Sequence, residues 1–137
     1  MTEEKKDFFV SDISLNYQYT AGHATTRFLN KVAEGKLVAQ KCPKCTAVYV
    51  PPRGSCPGCG VATEEELELP DTGAVESFTI VHIPIPGNPI VPPYVCAMIR
   101  LDGADISFLH LIQEVDLADI RIGMRVQAVW KEKSEWG

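Results

Sequence analysis

Four of the five cysteines fall into two tight pairs, and their spacing predicts a metal site. The pairs are Cys42-Pro-Lys-Cys45 and Cys56-Pro-Gly-Cys59, with ten residues between them. Each Cys-x-x-Cys turn directs two thiolates toward one point, so two such turns form a closed tetrahedral site of four sulfurs. Zinc is the default ion for this donor set. Because all four positions are sulfur, we expect Cys42, Cys45, Cys56 and Cys59 to hold one structural Zn²⁺ per chain.

Iron is the alternative that the same donor set leaves open. Paired Cys-x-x-Cys turns followed by glycine are also typical of rubredoxin-like electron carriers, and the softness of sulfur does not separate the two metals. Here Gly60 follows the second pair, but Thr46 follows the first. A redox carrier therefore stays an alternative, and a colourless purified protein would exclude it.

The rest of the chain shows no catalytic constellation. His23, His82 and His110 are distant from one another in sequence, and the chain has no nucleophile elbow or glycine-rich phosphate loop. Cys96 has apolar neighbours, which predict an inert core thiol. Arg53, held between the two cysteine pairs, is either a surface charge or a contact to a phosphate or a partner carboxylate. We therefore assign no catalytic residue.

The elements that must position the cysteines begin with a helix and a strand. Residues 7–20 show no helical period and are expected to form an extended arm. Thr25 or Thr26 is predicted to cap a short amphipathic helix that stops at Gly35. Residues 36–41 are expected to form a strand leading into Cys42. The ten-residue gap between the two cysteine pairs is long enough for a β-hairpin.

The second half of the chain is predicted to be all-β. β-branched segments separated by turn signals place strands at residues 74–83, 94–101, 106–111 and 124–130, with one or two helical turns at 114–121. Short strands with a helical insertion suit an OB-type barrel. Residues 84–93 contain five prolines and are expected to form a stiff, exposed loop at the barrel edge.

Composition narrows the function classes. The 137 residues, 45% hydrophobic, suffice for one core or for a small module joined to one. The net charge of −5 disfavours nucleic acid as a partner. An OB-fold module for single-stranded nucleic acid stays the main alternative function, because zinc ribbons and OB-folds often bind nucleic acid.

No signal peptide or membrane span is apparent, so we expect a cytoplasmic protein without a membrane partner.

Several motifs together resemble the DUF35 family of zinc-ribbon and OB-fold proteins. Besides both cysteine pairs, they are Tyr19-Thr-Ala-Gly22, Gly35-Lys-Leu37, Pro51-Pro-Arg53, Pro93-Tyr94, Arg100-Leu-Asp-Gly103 and Gly123-Met124. The resemblance implies a mainly β chain with three parts: an N-terminal arm and helix (1–37), a rubredoxin-like zinc ribbon (38–66) and a C-terminal OB-fold barrel (67–137). Family members commonly continue with a further strand after 124–130, so an incompletely closed barrel is expected here.

The resemblance also implies a function in which a partner carries the chemistry. Such proteins associate with thiolase-like enzymes or hydratases that act on acyl-CoA. We therefore expect a non-catalytic accessory subunit in a hetero-oligomer with a thiolase or a lipid-transfer-protein-like aldolase, including the retro-aldolases of steroid side-chain degradation. In that setting Arg53 and Lys44 are expected to contact the CoA phosphates or the partner.

Overall fold

The computed structural model describes residues 14–135, and over that range the chain is mainly β with one α-helix. In chain order the elements are α1 (His23–Ala33), β1 (Leu37–Lys41), β2 (Val48–Tyr49), β3 (Glu65–Leu69), β4 (Thr72–Val81), β5 (Tyr94–Leu101), β6 (Phe108–Ile112) and β7 (Arg125–Gln127). One 3₁₀ turn, Leu117–Asp119, lies between β6 and β7 where a helical insertion was expected, and a second, Lys133–Glu135, follows β7. The predicted fold class is confirmed.

Helix α1 begins earlier than the sequence indicated. Its N-cap is Gly22, whose φ of 81° lies in the left-handed region that glycine adopts without strain, and no side chain caps the helix. Thr25 and Thr26 therefore lie in the first turn instead of capping it. At the other end the amides of Gly35 and Lys36 bond back to the carbonyls of Val32 and Lys31. This Schellman-type ending is the stop that Gly35 predicted.

The first sheet has the order β2-β1-β3, and all its pairs are antiparallel. Strands β1 and β2 flank the first cysteine pair, with Gln40 opposite Tyr49. The hairpin therefore encloses the first pair and does not lie between the two pairs, and a single bridge between Ser55 and Ala62 encloses the second. Each pair sits at the turn of its own antiparallel connection.

Strand β3 was not predicted. Its sequence, Glu-Glu-Leu-Glu-Leu, offers only Leu67 and Leu69 as apolar residues, but all five of its residues pair with β1. The expected boundary between the zinc ribbon and the OB-fold domain, after residue 66, falls within this strand. The three-part division of the chain stays a prediction.

The second sheet has the order β6-β5-β4-β7, again fully antiparallel. A bulge between Val75 and Ser77 bends β4. Strand β5 has the predicted bounds, whereas β7 is shorter than predicted because its ladder with β4 ends at Thr72, which follows Pro70 and Asp71. Among the residues described, β6 and β7 are not paired with each other. The described strands of this OB-fold domain therefore form an open four-stranded sheet, and no closed barrel is found among them.

The two sheets share one hydrophobic core. Four of its buried residues lie in the first sheet or directly after β2 (Ala39, Val48, Val50, Leu69). The other four lie in the second sheet (Val75, Ala97, Ile99, Leu101). Phe28 of α1 packs against it. Because a three-stranded ribbon is too small to bury a core alone, the OB-fold sheet supplies the other half.

Two aspartates of the turn after β5 bind neighbouring elements. Asp102 accepts a hydrogen bond from the Thr72 hydroxyl at 2.5 Å and pairs with the Arg125 guanidinium, so it joins β4 to β7. Arg125 first, and Thr72 second, hold the pKa of the Asp102 carboxyl well below its usual range. Asp105 accepts from the Val48 amide at 2.8 Å and donates its own amide to the Val48 carbonyl. This exchange ties the OB-fold domain to the ribbon.

The loop of residues 84–93 connects β4 to β5 and is largely exposed, as its prolines predicted. Asn88 braces it: its amide bonds to the Ile85 carbonyl, its Oδ1 accepts from the Ile90 amide, and its Nδ2 donates to the Tyr94 hydroxyl. Residues 14–20 have no regular structure and are exposed. The remainder of the predicted extended arm lies outside the described residues.

Candidate metal centre

The structure brings the four paired cysteines together. One sulfur atom from each of Cys42, Cys45, Cys56 and Cys59 lies within 4.8 Å of the other three, and the Cys45 and Cys56 sulfurs are 3.7 Å apart. A tetrahedral zinc with Zn–S bonds of about 2.3 Å places its sulfurs roughly 3.8 Å apart. The four cysteines are thus positioned to bind one metal ion, and a bound zinc would supply a cross-link between the two turns.

The two cysteine turns have the same backbone construction. The amides of Cys42 and Cys56 bond to the carbonyls of Ala47 and Val61 at 2.8 Å. The residues after each pair, Thr46 and Gly60, both have a positive φ, 64° and 66°. Glycine adopts this conformation freely, whereas threonine is strained in it. The absence of a glycine after the first pair therefore does not change the shape of its turn.

The thiols differ in exposure and in proton affinity. Cys42 and Cys56 are buried, while Cys45 is exposed. A hydrogen bond from the Tyr49 hydroxyl is the main cause that lowers the pKa of Cys56 to about 6. A hydrogen bond shared with Cys45 is the main cause that raises the pKa of Cys59 to about 12. Without a metal ion the cluster therefore retains a proton, which is held most strongly at Cys59. Metal binding must displace it, so metal affinity is expected to rise with pH.

Two buried polar residues around the site were missed by the sequence analysis. The Tyr49 hydroxyl lies 3.2 Å from the Cys56 sulfur. Gln40 uses its Oε1 to accept from the Gly54 amide and the Thr63 hydroxyl, both at 3.1 Å, and so holds the second cysteine turn against β1. The sequence offered two signals for these roles: a polar residue within the apolar strand Leu37–Lys41, and a tyrosine between the cysteine pairs.

The two cations singled out from the sequence lie on the ribbon surface. Lys44 is exposed within the first cysteine turn, and Arg53 is exposed with its guanidinium carbon 5.9 Å from the centre of the Tyr49 ring. Within residues 14–135 neither of them forms a salt bridge. Both charges are therefore available to an outside anion.

The other candidate groups stay apart. His23 begins α1, His82 follows β4, and His110 lies in β6 against Phe108. Cys96 is half-buried in β5, so the expectation of a buried core thiol is only partly met. In the described part of the chain the four-cysteine cluster is the one group of histidine, cysteine or acidic residues close enough to hold a metal.

Comparison with known proteins agrees with this architecture. Residues 30–65 match the family model described as the ChsH2 rubredoxin-like zinc ribbon domain, and residues 66–131 match the ChsH2 C-terminal OB-fold domain. A DUF35 domain-containing scaffold protein of Methanocaldococcus jannaschii is 37% identical over 103 residues, which cover 74% of this chain and 72% of the relative. The chain belongs to the DUF35 family. The resemblance seen in the sequence motifs is confirmed.

Two other proteins that are similar to this DUF35 protein are named as enzymes, and a third has no known function. A probable enoyl-CoA hydratase alpha subunit of Thermomonospora curvata is 33% identical over 97 residues, covering 71% of this chain but 30% of the relative. A solved structure described as the Ltp2-ChsH2(DUF35) aldolase superposes with a TM-score of 0.70 at 27% identity, covering 85% of this chain and 90% of that one. A Sulfolobus solfataricus DUF35 protein of unknown function gives a TM-score of 0.64 at 28% identity, covering 78% and 76%.

Helix α1, with its 11 residues, is too short to cross a bilayer, and no other described helix is long and apolar enough to do so.

Proposed function

We propose that this DUF35 protein is a non-catalytic accessory subunit that binds and stabilises a thiolase-like acyl-CoA enzyme. The observation that carries the proposal is the likeness to the Ltp2-ChsH2(DUF35) aldolase, which spans 90% of that chain. The naming of the M. jannaschii relative as a scaffold protein points the same way. The partner holds the catalytic residues, and this chain contributes surface and substrate contacts.

More narrowly, we propose that the partner is an aldol lyase or a thiolase. An aldol lyase partner would cleave a β-hydroxyacyl-CoA by retro-aldol reaction, as in steroid side-chain degradation. The assembly is a cytoplasmic hetero-oligomer. The hydratase subunit among the relatives makes a hydratase partner the competing possibility, and identification of the partner separates the two.

The placement of potential catalytic groups supports an accessory role. His23, His82 and His110 occupy a helix start, a loop and an edge strand. The Ser107 hydroxyl donates to the Glu76 carboxylate, which also pairs with Arg100. Within residues 14–135 the hydrogen bond of the Ser107 hydroxyl goes to a carboxylate and not to a histidine, which is not the arrangement of an activated serine nucleophile.

Single-stranded nucleic acid is disfavoured by the charge pattern. Five basic side chains are already paired with carboxylates of the same chain, namely Arg27, Lys31, Lys36, Arg100 and Arg125. The net charge is −5. A basic groove that follows a phosphate backbone requires unpaired cations, so an OB-fold nucleic-acid module fits this surface poorly.

Arg53 and Lys44 are the residues that we assign to the CoA phosphates. Both are exposed and unpaired on the ribbon, and Arg53 is held by its position over the Tyr49 ring. A guanidinium supplies a planar pair of donors for phosphate oxygens, and a lysine adds a second positive charge. The ribbon thus presents an anion-binding surface beside the metal centre.

Charge reversal by Arg53→Glu is expected to raise the KM of the native complex for acyl-CoA about tenfold or more. A hydrogen bond to a charged group contributes roughly 1.5–3 kcal/mol, and reversal adds repulsion. Steady-state kinetics of the purified complex measures the change. Arg121→Glu is the matched control, because the Arg121 side chain is also exposed and donates to the nearby Asp119 carbonyl. Equal KM values in both variants, with unchanged metal content, would remove Arg53 from the CoA site.

The proposed function is tested by purifying the tagged chain from its native organism and identifying the proteins that accompany it at fixed stoichiometry. We expect a thiolase-like acyl-CoA enzyme and about one zinc per chain. Single-stranded nucleic acid in place of such an enzyme would overturn the proposal and favour the OB-fold alternative. A red, iron-containing sample would favour the electron carrier.

A further inference from the structure

The phenol of Tyr49 lies directly against one metal-binding sulfur. Its hydroxyl oxygen is 3.2 Å from the Cys56 sulfur, and both side chains are almost fully buried, at 7% and 1% exposure. A metal-bound thiolate has no proton to give, so in the metal-loaded protein the phenol must be the donor of this bond. The other buried sulfur, that of Cys42, accepts hydrogen bonds from the backbone amides of Lys44 and Cys45, each at 3.4 Å.

Three contacts hold the Tyr49 ring in place. Tyr49 is paired with Gln40 in the β1–β2 ladder, so its backbone is part of the ribbon sheet. Cys42 and Cys56 pack against it in one buried cluster, with Ile106 of the OB-fold domain at its margin. The Arg53 guanidinium covers the ring from the outside. Since a tyrosine has only two rotatable side-chain bonds, this packing sets the position of the hydroxyl.

We propose that Tyr49 is a positioning residue of the metal centre, whose hydroxyl holds the Cys56 thiolate in its ligating orientation and slows loss of the metal. A hydrogen bond donated to a bound thiolate draws electron density from the sulfur and makes it a weaker base. Because packing fixes the phenol, the same bond also fixes the direction in which the Cys56 sulfur points into the cluster. Groups that orient metal ligands in this way commonly contribute 10–100-fold, roughly, to metal affinity.

The role concerns metal retention and does not depend on any partner enzyme. It applies to the isolated chain as well as to a complex, so its failure would leave the proposed function untouched. Substitution by phenylalanine removes the hydroxyl but keeps the ring, its burial and its contact with Arg53. The change is thus confined to the bond between the phenol and the sulfur.

The experiment compares Tyr49→Phe with the wild-type chain, using Tyr94→Phe as the matched control. The Tyr94→Phe variant also loses one hydroxyl hydrogen bond, the one that Tyr94 accepts from the Asn88 side chain at 3.2 Å. Residue 94 lies in β5, outside the metal cluster. Zinc release from each loaded protein is followed with a chromogenic chelator in excess. Cobalt(II) is then substituted for zinc, and the sulfur-to-cobalt charge-transfer band is recorded.

We expect Tyr49→Phe to release zinc about tenfold faster than the wild type, and its charge-transfer band to move to longer wavelength because the freed thiolate is a better electron donor. Tyr94→Phe is expected to match the wild type in both measurements. An unchanged release rate overturns the proposal. Faster release with an unmoved band also overturns it, since that result indicates general loosening of the ribbon.

Discussion

Replacing Cys42 by serine is expected to abolish metal retention and to leave most of the protein insoluble. Cys42 is completely buried, and its sulfur is one of four that converge on a single point. Structural zinc contributes about 10–16 kcal/mol in small zinc modules. A domain of this size has a total stability of only about 5–15 kcal/mol. Loss of the ion therefore removes enough free energy to unfold the ribbon.

The effect should extend beyond the ribbon. Ala39, Val48, Val50 and Leu69 form half of the core that the OB-fold sheet depends on. The measurements are yield of soluble protein, metal content and circular dichroism. Cys96→Ser is the control, because Cys96 is only half-buried and lies outside the cluster. Normal yield with full metal content in Cys42→Ser would mean that the ligands have been assigned wrongly.

The second large effect is expected at the loop of residues 84–93, which we propose as the docking surface for the partner enzyme. Ile85 and Val91 are 57% and 81% exposed on a loop that Asn88 braces internally. Exposed apolar side chains on a rigid loop are suited to burial against a partner. Changing both to lysine should weaken binding of the partner by about 30-fold or more, the equivalent of roughly 2 kcal/mol for an interface hot spot.

Co-purification and a binding titration with the isolated partner measure this loss. Ile122→Lys is the control, because Ile122 is 69% exposed but lies in the turn before β7. The double variant should keep its metal and its thermal stability, since neither side chain is in the core. Undiminished partner affinity in the double variant would move the docking surface elsewhere on the molecule.

The features predicted correctly from the sequence are those encoded locally. The two Cys-x-x-Cys turns, the stop at Gly35 and the apolar strand Tyr94–Leu101 each depend on residues close together in the chain. The helix starts earlier than predicted, because Gly22 opens it through its backbone conformation and without a capping side chain.

The features missed depend on pairing between distant segments. Strand Glu65–Leu69 has an acidic sequence of low β propensity, and it is extended because β1 offers it a full ladder. Tyr49 and Gln40 gain their roles from groups 7 to 23 residues away. Such long-range contacts leave little trace in a single sequence.

The measurement that tests the accessory-subunit account most directly is acyl-CoA turnover by the separated and recombined components of the native complex. The account predicts no turnover by this chain alone, low or unstable turnover by the partner alone, and full turnover when the two are mixed with zinc bound to this chain. Turnover by the isolated chain, or a partner equally active and stable without it, would contradict the account.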